Sequence, residues 1–154
     1  MGREADEMRI AVGADHAGLS LKEPVVSWLV DRGYDVHDVG AFDAEPSDYP
    51  DYAIKVADTV AGGLAHYGLL FCGSGLGMAI VANKVSGVRA VTCHDVVAAR
   101  LARQHNDANV LTMGARFLAA PLALEIIETF LRTAFDGGRH HQRVEKIVEV
   151  ERRS

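Results

Sequence analysis

"LLFCGSGLGMA", Leu69 to Ala79, is the stretch on which the fold turns. An apolar run ends in Cys72, and three glycines then alternate with Ser74 and Leu76 before a short helical pattern begins. A continuous apolar run bounded by glycine suits a strand covered on both faces. Working outward, the same alternation recurs. Arg9–Ala14, Tyr34–Gly40, Gly68–Cys72, Val88–Cys93 and Asn109–Gly114 read as strands. Between them lie helix-length segments. Leu19 to Asp31 carries an apolar stripe at Leu21, Val25, Trp28 and Leu29, closed by Gly33. Pro50 suits the first turn of a helix running through Ala61. Shorter helices are predicted over Met78–Lys84 and Asp95–Arg103, and longer ones over Pro121–Phe135 and Gln142–Arg153.

Strands alternating with helices imply parallel strands joined by right-handed crossovers. The expected fold is α/β: a three-layer α/β/α sandwich, Rossmann-like, with a five-stranded parallel sheet and a C-terminal helix. One domain is expected over residues 8–154, behind a flexible polar leader at 1–7. The strands read as nearly all apolar, as strands covered on both faces should be.

Composition narrows the function. Sixteen basic against 21 acidic residues give a net charge of −5 over 154 residues, which weighs against a nucleic-acid partner. Cys72 and Cys93 form no disulfide framework. No run of 18 apolar residues exists, and "MGREADEM" is no signal peptide. A soluble cytoplasmic protein without a membrane partner is expected.

In open parallel sheets, ligands bind beyond the carboxyl ends of the strands. The first strand delivers Asp15 and His16 there, the third delivers "CGSGLG", and the fourth delivers Cys93, His94 and Asp95. His105, Asn106 and Asp107, from "RQHNDAN", are expected at the same edge. The glycine loop admits two readings. A dinucleotide fingerprint would need a third glycine where Met78 stands, although Gly73, Gly75 and Asp95 fit. Alternatively, backbone N–H groups at a helix start form an oxyanion cradle, with Cys72 beside it as an acid–base group. A buried hydrophobic thiol, a capping Asp15 and a structural His105 are the plain alternatives.

"GGRHHQRVEKI" puts Arg139 and Arg143 on one helical face, a spacing that suits bidentate phosphate binding or a solvated basic face. The glycines before it would let that face turn back over the strand ends. No metal motif occurs, and His140 and His141 would point apart on a helix. Ser74 does not sit in a nucleophile elbow.

Taken together, "GADHAG", "DYPDYA", "CGSGLGMAIVANK", "GVRAV", "ARQHNDANVLTMGAR" and "GGRHHQRVEKI" resemble the ribose-5-phosphate isomerase B family and its sugar-phosphate isomerase relatives, from about Met8 to Glu151. The resemblance implies interconversion of ribose 5-phosphate and ribulose 5-phosphate through an enediolate, with no metal and no cofactor. It implies Cys72 as the general base. Ser74 and the N–H groups of Gly73, Gly75, Leu76 and Gly77 would hold the enediolate oxygens. His105 would assist ring opening, and Asp15 would orient sugar hydroxyls. His16, Arg116, Arg139 and Arg143 would contact the phosphate, while Tyr49 and Asn106 line the pocket. It further implies a homodimer or homotetramer with the site between subunits, His105 and Arg116 serving a neighbour's Cys72. Some members use a loop glutamate as base; here that position is Met78. Allose 6-phosphate, galactose 6-phosphate and erythrulose 4-phosphate are alternative substrates. A noncatalytic nucleotide-binding α/β module is the alternative from another class.

Overall fold

The computed structural model describes residues 4–153. Each apolar run becomes a strand, and the five pair parallel in the order β2-β1-β3-β5-β4. These are β1 (Arg9–Ala14), β2 (Asp35–Asp38), β3 (Tyr67–Cys72), β4 (Ala90–Thr92) and β5 (Val110–Gly114). The helices are α1 (Leu19–Asp31), α2 (Tyr49–Ala61), α3 (Leu76–Ala82), α4 (Val96–Asn106), α5 (Ala120–Arg132) and α6 (Arg139–Glu151). Of the expected leader, residues 1–3 lie outside the described residues, and Ala5–Glu7 form a 3-10 turn.

The direction of each crossover selects its face. Right-handed connections that travel one way along a sheet lie on one face, and those returning lie on the other. Accordingly α1, α4 and α5 cover one face, through Leu21, Val25, Ala99, Ile126, Ile127 and Phe130. Helices α2 and α3 cover the other, through Ala53, Val56, Ala57, Met78 and Ala82. Side chains alternate along a strand. In β3, Leu69 and Phe71 therefore enter the first layer, while Leu70 and Cys72 enter the second. Full burial of each large apolar side chain contributes about 1.5–3 kcal/mol.

Several boundaries differ from the sequence expectation. The α3 helix starts at Leu76 and stops at Ala82, because Gly75 already turns the chain. The α4 helix continues to Asn106 and is stopped by Asp107, in the left-handed region at φ 46°. The α5 helix ends at Arg132, where Thr133 turns extended. The α6 helix starts earlier, directly after Gly138. Strand β2 is not apolar on both faces: as an edge strand its residues alternate between exposed and half-buried.

The apolar stripe of α1 also carries an unforeseen charge. Lys22 is only 2% exposed. Its Nζ lies 2.8 and 2.9 Å from the two Asp38 oxygens and 4.5 Å from the Phe42 ring centroid. Asp38 also accepts the Gly40 N–H at 2.9 Å. This pair fixes the exit of β2, from which the 41–48 loop departs. Asp38→Ala would strand a buried ammonium, and a loss of about 3 kcal/mol in urea unfolding is expected. Lys22→Met should cost distinctly less; equal losses would show that the ion pair is not what holds the loop.

His94, just past β4, accepts the Gly114 N–H through Nε2 at 3.0 Å and packs edge-on against Phe117. Burial pushes its pKa below the ordinary value, against a smaller opposing pull from Asp95. A histidine whose folded pKa is lowered contributes stability above its unfolded pKa and loses it as pH falls. The melting temperature should therefore decline as pH drops below about 6.5. His94→Gln, which keeps an acceptor but cannot titrate, should show a shallower decline. Identical slopes would remove His94 from this account.

Candidate active site

The crossover direction reverses between β1 and β3, so a crevice opens beyond their carboxyl ends. Asp15, His16 and Ala17 after β1, Tyr49 at the start of α2, Cys72 with its glycine loop after β3, and Arg116 after β5 line an open pocket of about 380 Å³.

Cys72 is buried at the base of this pocket. Its Sγ accepts the Gly75 N–H at 3.0 Å, a donor that would favour negative charge on the sulfur. Gly75 adopts φ +79°, and a Cβ there would meet the Met113 backbone at 2.9 Å, so glycine is required. The Gly75 carbonyl accepts from the Thr112 hydroxyl at 2.8 Å and from Thr92 at 3.3 Å; the two hydroxyls themselves lie 2.7 Å apart. These bonds set the loop's backbone direction. The Leu76 N–H bonds to Ser74 Oγ at 3.2 Å, and Leu76 itself is largely exposed. Of the expected cradle donors, Gly75 thus serves the sulfur and Leu76 serves Ser74, while the Gly73 and Gly77 N–H groups have no protein acceptor among the described residues.

The walls are equally determined. Asp15 is 6% exposed and accepts the Gly18 N–H through Oδ1 at 3.0 Å, so it does cap a turn while lining the pocket. His16 and Ser47 bond reciprocally: the His16 N–H donates to Ser47 Oγ at 3.0 Å, and the Ser47 N–H donates to His16 Nδ1 at 3.1 Å. The neutral ring therefore carries its proton on Nε2. Tyr49 lies over Gly77, its ring 2.6 Å from where a Cβ would stand. The Ala115 and Arg116 N–H groups donate to the Cys72 and Gly73 carbonyls at 2.9 and 3.1 Å. They hold the Arg116 guanidinium beside Gly73, with Nε 3.2 Å from an added Cβ. Arg116 accordingly stands at its own chain's Cys72 pocket.

The expectation that His105 and Asn106 share this edge is overturned. A helix following a parallel strand runs back along the sheet, so the C-terminus of α4 reaches the amino edge, opposite Cys72. Gly137 and Gly138 do turn the chain, with φ of 66° and 54°. They lay α6 along that amino edge, however, and not over the carboxyl ends: Glu151 accepts the Gly87 N–H at 3.0 Å, and His140 stacks on His105. Arg139 and Arg143 are exposed at this second corner. The chain therefore carries two separate sets of the expected residues. Asp15, His16, Tyr49, Cys72, Ser74 and Arg116 form one; His105, Asn106, Arg139 and Arg143 form the other. Hollows of about 400 and 410 Å³ flank α6, but neither includes Cys72 or Arg116.

Ser47, Thr92 and Thr112 escape a reading of the sequence. Each supports a site residue through contacts between distant segments, and no periodicity or motif marks them.

Residues 10–147 match the model of the Ribose/Galactose Isomerase family. Ribose-5-phosphate isomerase B of Escherichia coli K12 is 48% identical over 145 residues, covering 94% of this chain and 97% of that protein. Ribose-5-phosphate isomerase B of Clostridium thermocellum superimposes with a TM-score of 0.94 at 46% identity, covering 95% of this chain and 99% of the other. The Mycoplasma genitalium enzyme, whose crystal structure holds bound ribulose-5-phosphate, gives a TM-score of 0.90 at 40% identity, covering 96% and 99%. The chain, with its glycine loop, its pocket cysteine and this degree of likeness, belongs to the ribose/galactose isomerase family.

Proposed function

We propose that the chain is an aldose–ketose isomerase that interconverts ribose 5-phosphate and ribulose 5-phosphate by proton transfer between C2 and C1. One observation carries the reading: a sulfur that accepts a backbone N–H at 3.0 Å in a pocket also lined by Asp15, His16 and Arg116. That combination suits removal of a proton next to a carbonyl in an anionic substrate. It gives no support to a nucleotide, since Met78, standing where a dinucleotide loop needs its third glycine, is fully buried in the core. The curated relatives named for ribose 5-phosphate favour the pentose over the hexose and tetrose phosphates.

In this reading Cys72 takes the C2 proton of the open-chain aldose and returns it to C1. The Gly73 and Gly77 N–H groups and the Ser74 hydroxyl hold the enediolate oxygens. Asp15 and Tyr49 orient the sugar, and His16 and Arg116 take the phosphate. His105 assists ring opening, with Asn106 beside it and Arg139 and Arg143 on the phosphate. Because these four stand at the opposite edge of their own chain, a second copy supplies them. The working unit is then a homodimer, or a pair of dimers. Among the described residues no helix is long and apolar enough to cross a membrane.

In deuterated water the protein should interconvert the two pentose phosphates and place deuterium at C1 of the ketose. Tight nucleotide binding without turnover would overturn the reading. Cys72→Ala should lower kcat by about 10²–10⁴-fold with binding largely retained; near-normal turnover would remove Cys72 as base. Complementation tests the two-chain site. Cys72→Ala and His105→Ala chains, each nearly inactive, should recover about a quarter of wild-type activity when unfolded and refolded together, since mixed dimers regain one intact site. A mixture that stays inactive would place the whole site within one chain.

A further inference from the structure

The His105 backbone is held firmly, but its ring is not held by hydrogen bonds. Arg103 Nη1 bonds to Asp107 Oδ1 at 2.9 Å, and Arg89 Nη2 bonds to the Asp107 carbonyl at 2.9 Å. The Asp136 N–H donates to the Gln104 carbonyl at 3.1 Å. Together these fix the last turn of α4. Neither nitrogen of the His105 ring has a hydrogen-bond partner among the described residues. What meets the ring is His140, from the first turn of α6. The two rings stack at 4.2 Å between centroids, 11° from parallel. His140 is 8% exposed, and Val144, one turn on, is buried with it. The plate is thus anchored while its partner is half-buried.

We propose that His140 is a positioning residue: its buried ring sets the plane of the His105 imidazole and leaves both His105 nitrogens free to work on the sugar ring. This rests on the ring-opening role given to His105 above. Charge agrees with it. Burial lowers the pKa of His140, and so do His105, Arg139 and Arg143, with only Asp136 opposing. The balance favours the uncharged form of the plate. His105, Asp136 and His140 also bring their ligand atoms within 4.8 Å of one another. Stacked rings keep their in-plane lone pairs in near-parallel planes that do not meet at a common point, so the cluster is shaped as a stack and not as a chelate.

The test compares two rates of the full-length enzyme. One is kcat for ribose 5-phosphate, which includes ring opening. The other is deuterium wash-in at C1 of ribulose 5-phosphate, an open-chain sugar that needs proton transfer alone. A residue acting on ring opening lowers the first more than the second. His140→Ala should lower kcat for the aldose by about tenfold or more while wash-in falls much less. His140→Phe, which restores a flat ring without a titrating group, should return the ratio close to wild type. If His105→Ala changes the ratio but His140→Ala lowers both rates equally, or if the phenylalanine variant behaves like the alanine one, the positioning role is wrong. If His105→Ala leaves the ratio unchanged, the ring-opening role of His105 falls, and the inference falls with it.

Discussion

Two threonine hydroxyls meeting at the carbonyl of Gly75 decide how the pocket works. A peptide plane is rigid, so fixing that carbonyl also fixes the direction of the Leu76 N–H. With Gly75 in the left-handed region, the preceding N–H turns back onto Cys72. The sulfur, the loop donors and the Arg116 segment are then tied to one another through the β3 and β5 ends. Both threonines project from strands into the α3 layer, where apolar side chains would otherwise stand. Their hydroxyls are acceptable there because each is satisfied.

The second constraint is topological. A strand delivers its following loop to one edge of the sheet, and a helix delivers its own C-terminus to the other. A reading that gathers all polar motifs at the ligand edge is therefore right for residues following strands and wrong for those ending helices. Cys72, Asp15, His16 and Arg116 follow strands; His105 and Asn106 end a helix. It is this separation within one chain that motivates the two-chain reading proposed above.

Much of the architecture is legible in the sequence because its signals are local. Apolar runs, the Leu21–Leu29 stripe, Gly33 and Pro50 each act within a few residues, and strand number, direction and layering follow from their order. Helix ends depart from the sequence pattern where the deciding feature is one backbone conformation, as at Asp107. Lys22 was invisible because its partner lies 16 residues away, on another element. The candidate site is legible as a list of residues only through the family resemblance of its motifs. Its partition between two edges is not, since motif order along the chain says nothing about which edge a segment reaches.

The glycines at Gly75 and Gly77 have a consequence for how this protein can change over evolutionary time. The wall around the sulfur is mostly backbone, pressed against Met113 on one side and Tyr49 on the other. A wall of backbone offers no side chains to exchange, so selection for a longer or shorter substrate finds little to act on there. The opposite rim differs: Phe42 to Pro46 stand largely in solvent, with His16, Tyr49 and the half-buried Ser47 next to them. Variation in that loop can reshape the mouth of the pocket while leaving the chemistry untouched. Diversification of this scaffold is thereby directed to the solvent-facing loop beside His16, away from the backbone wall around Cys72.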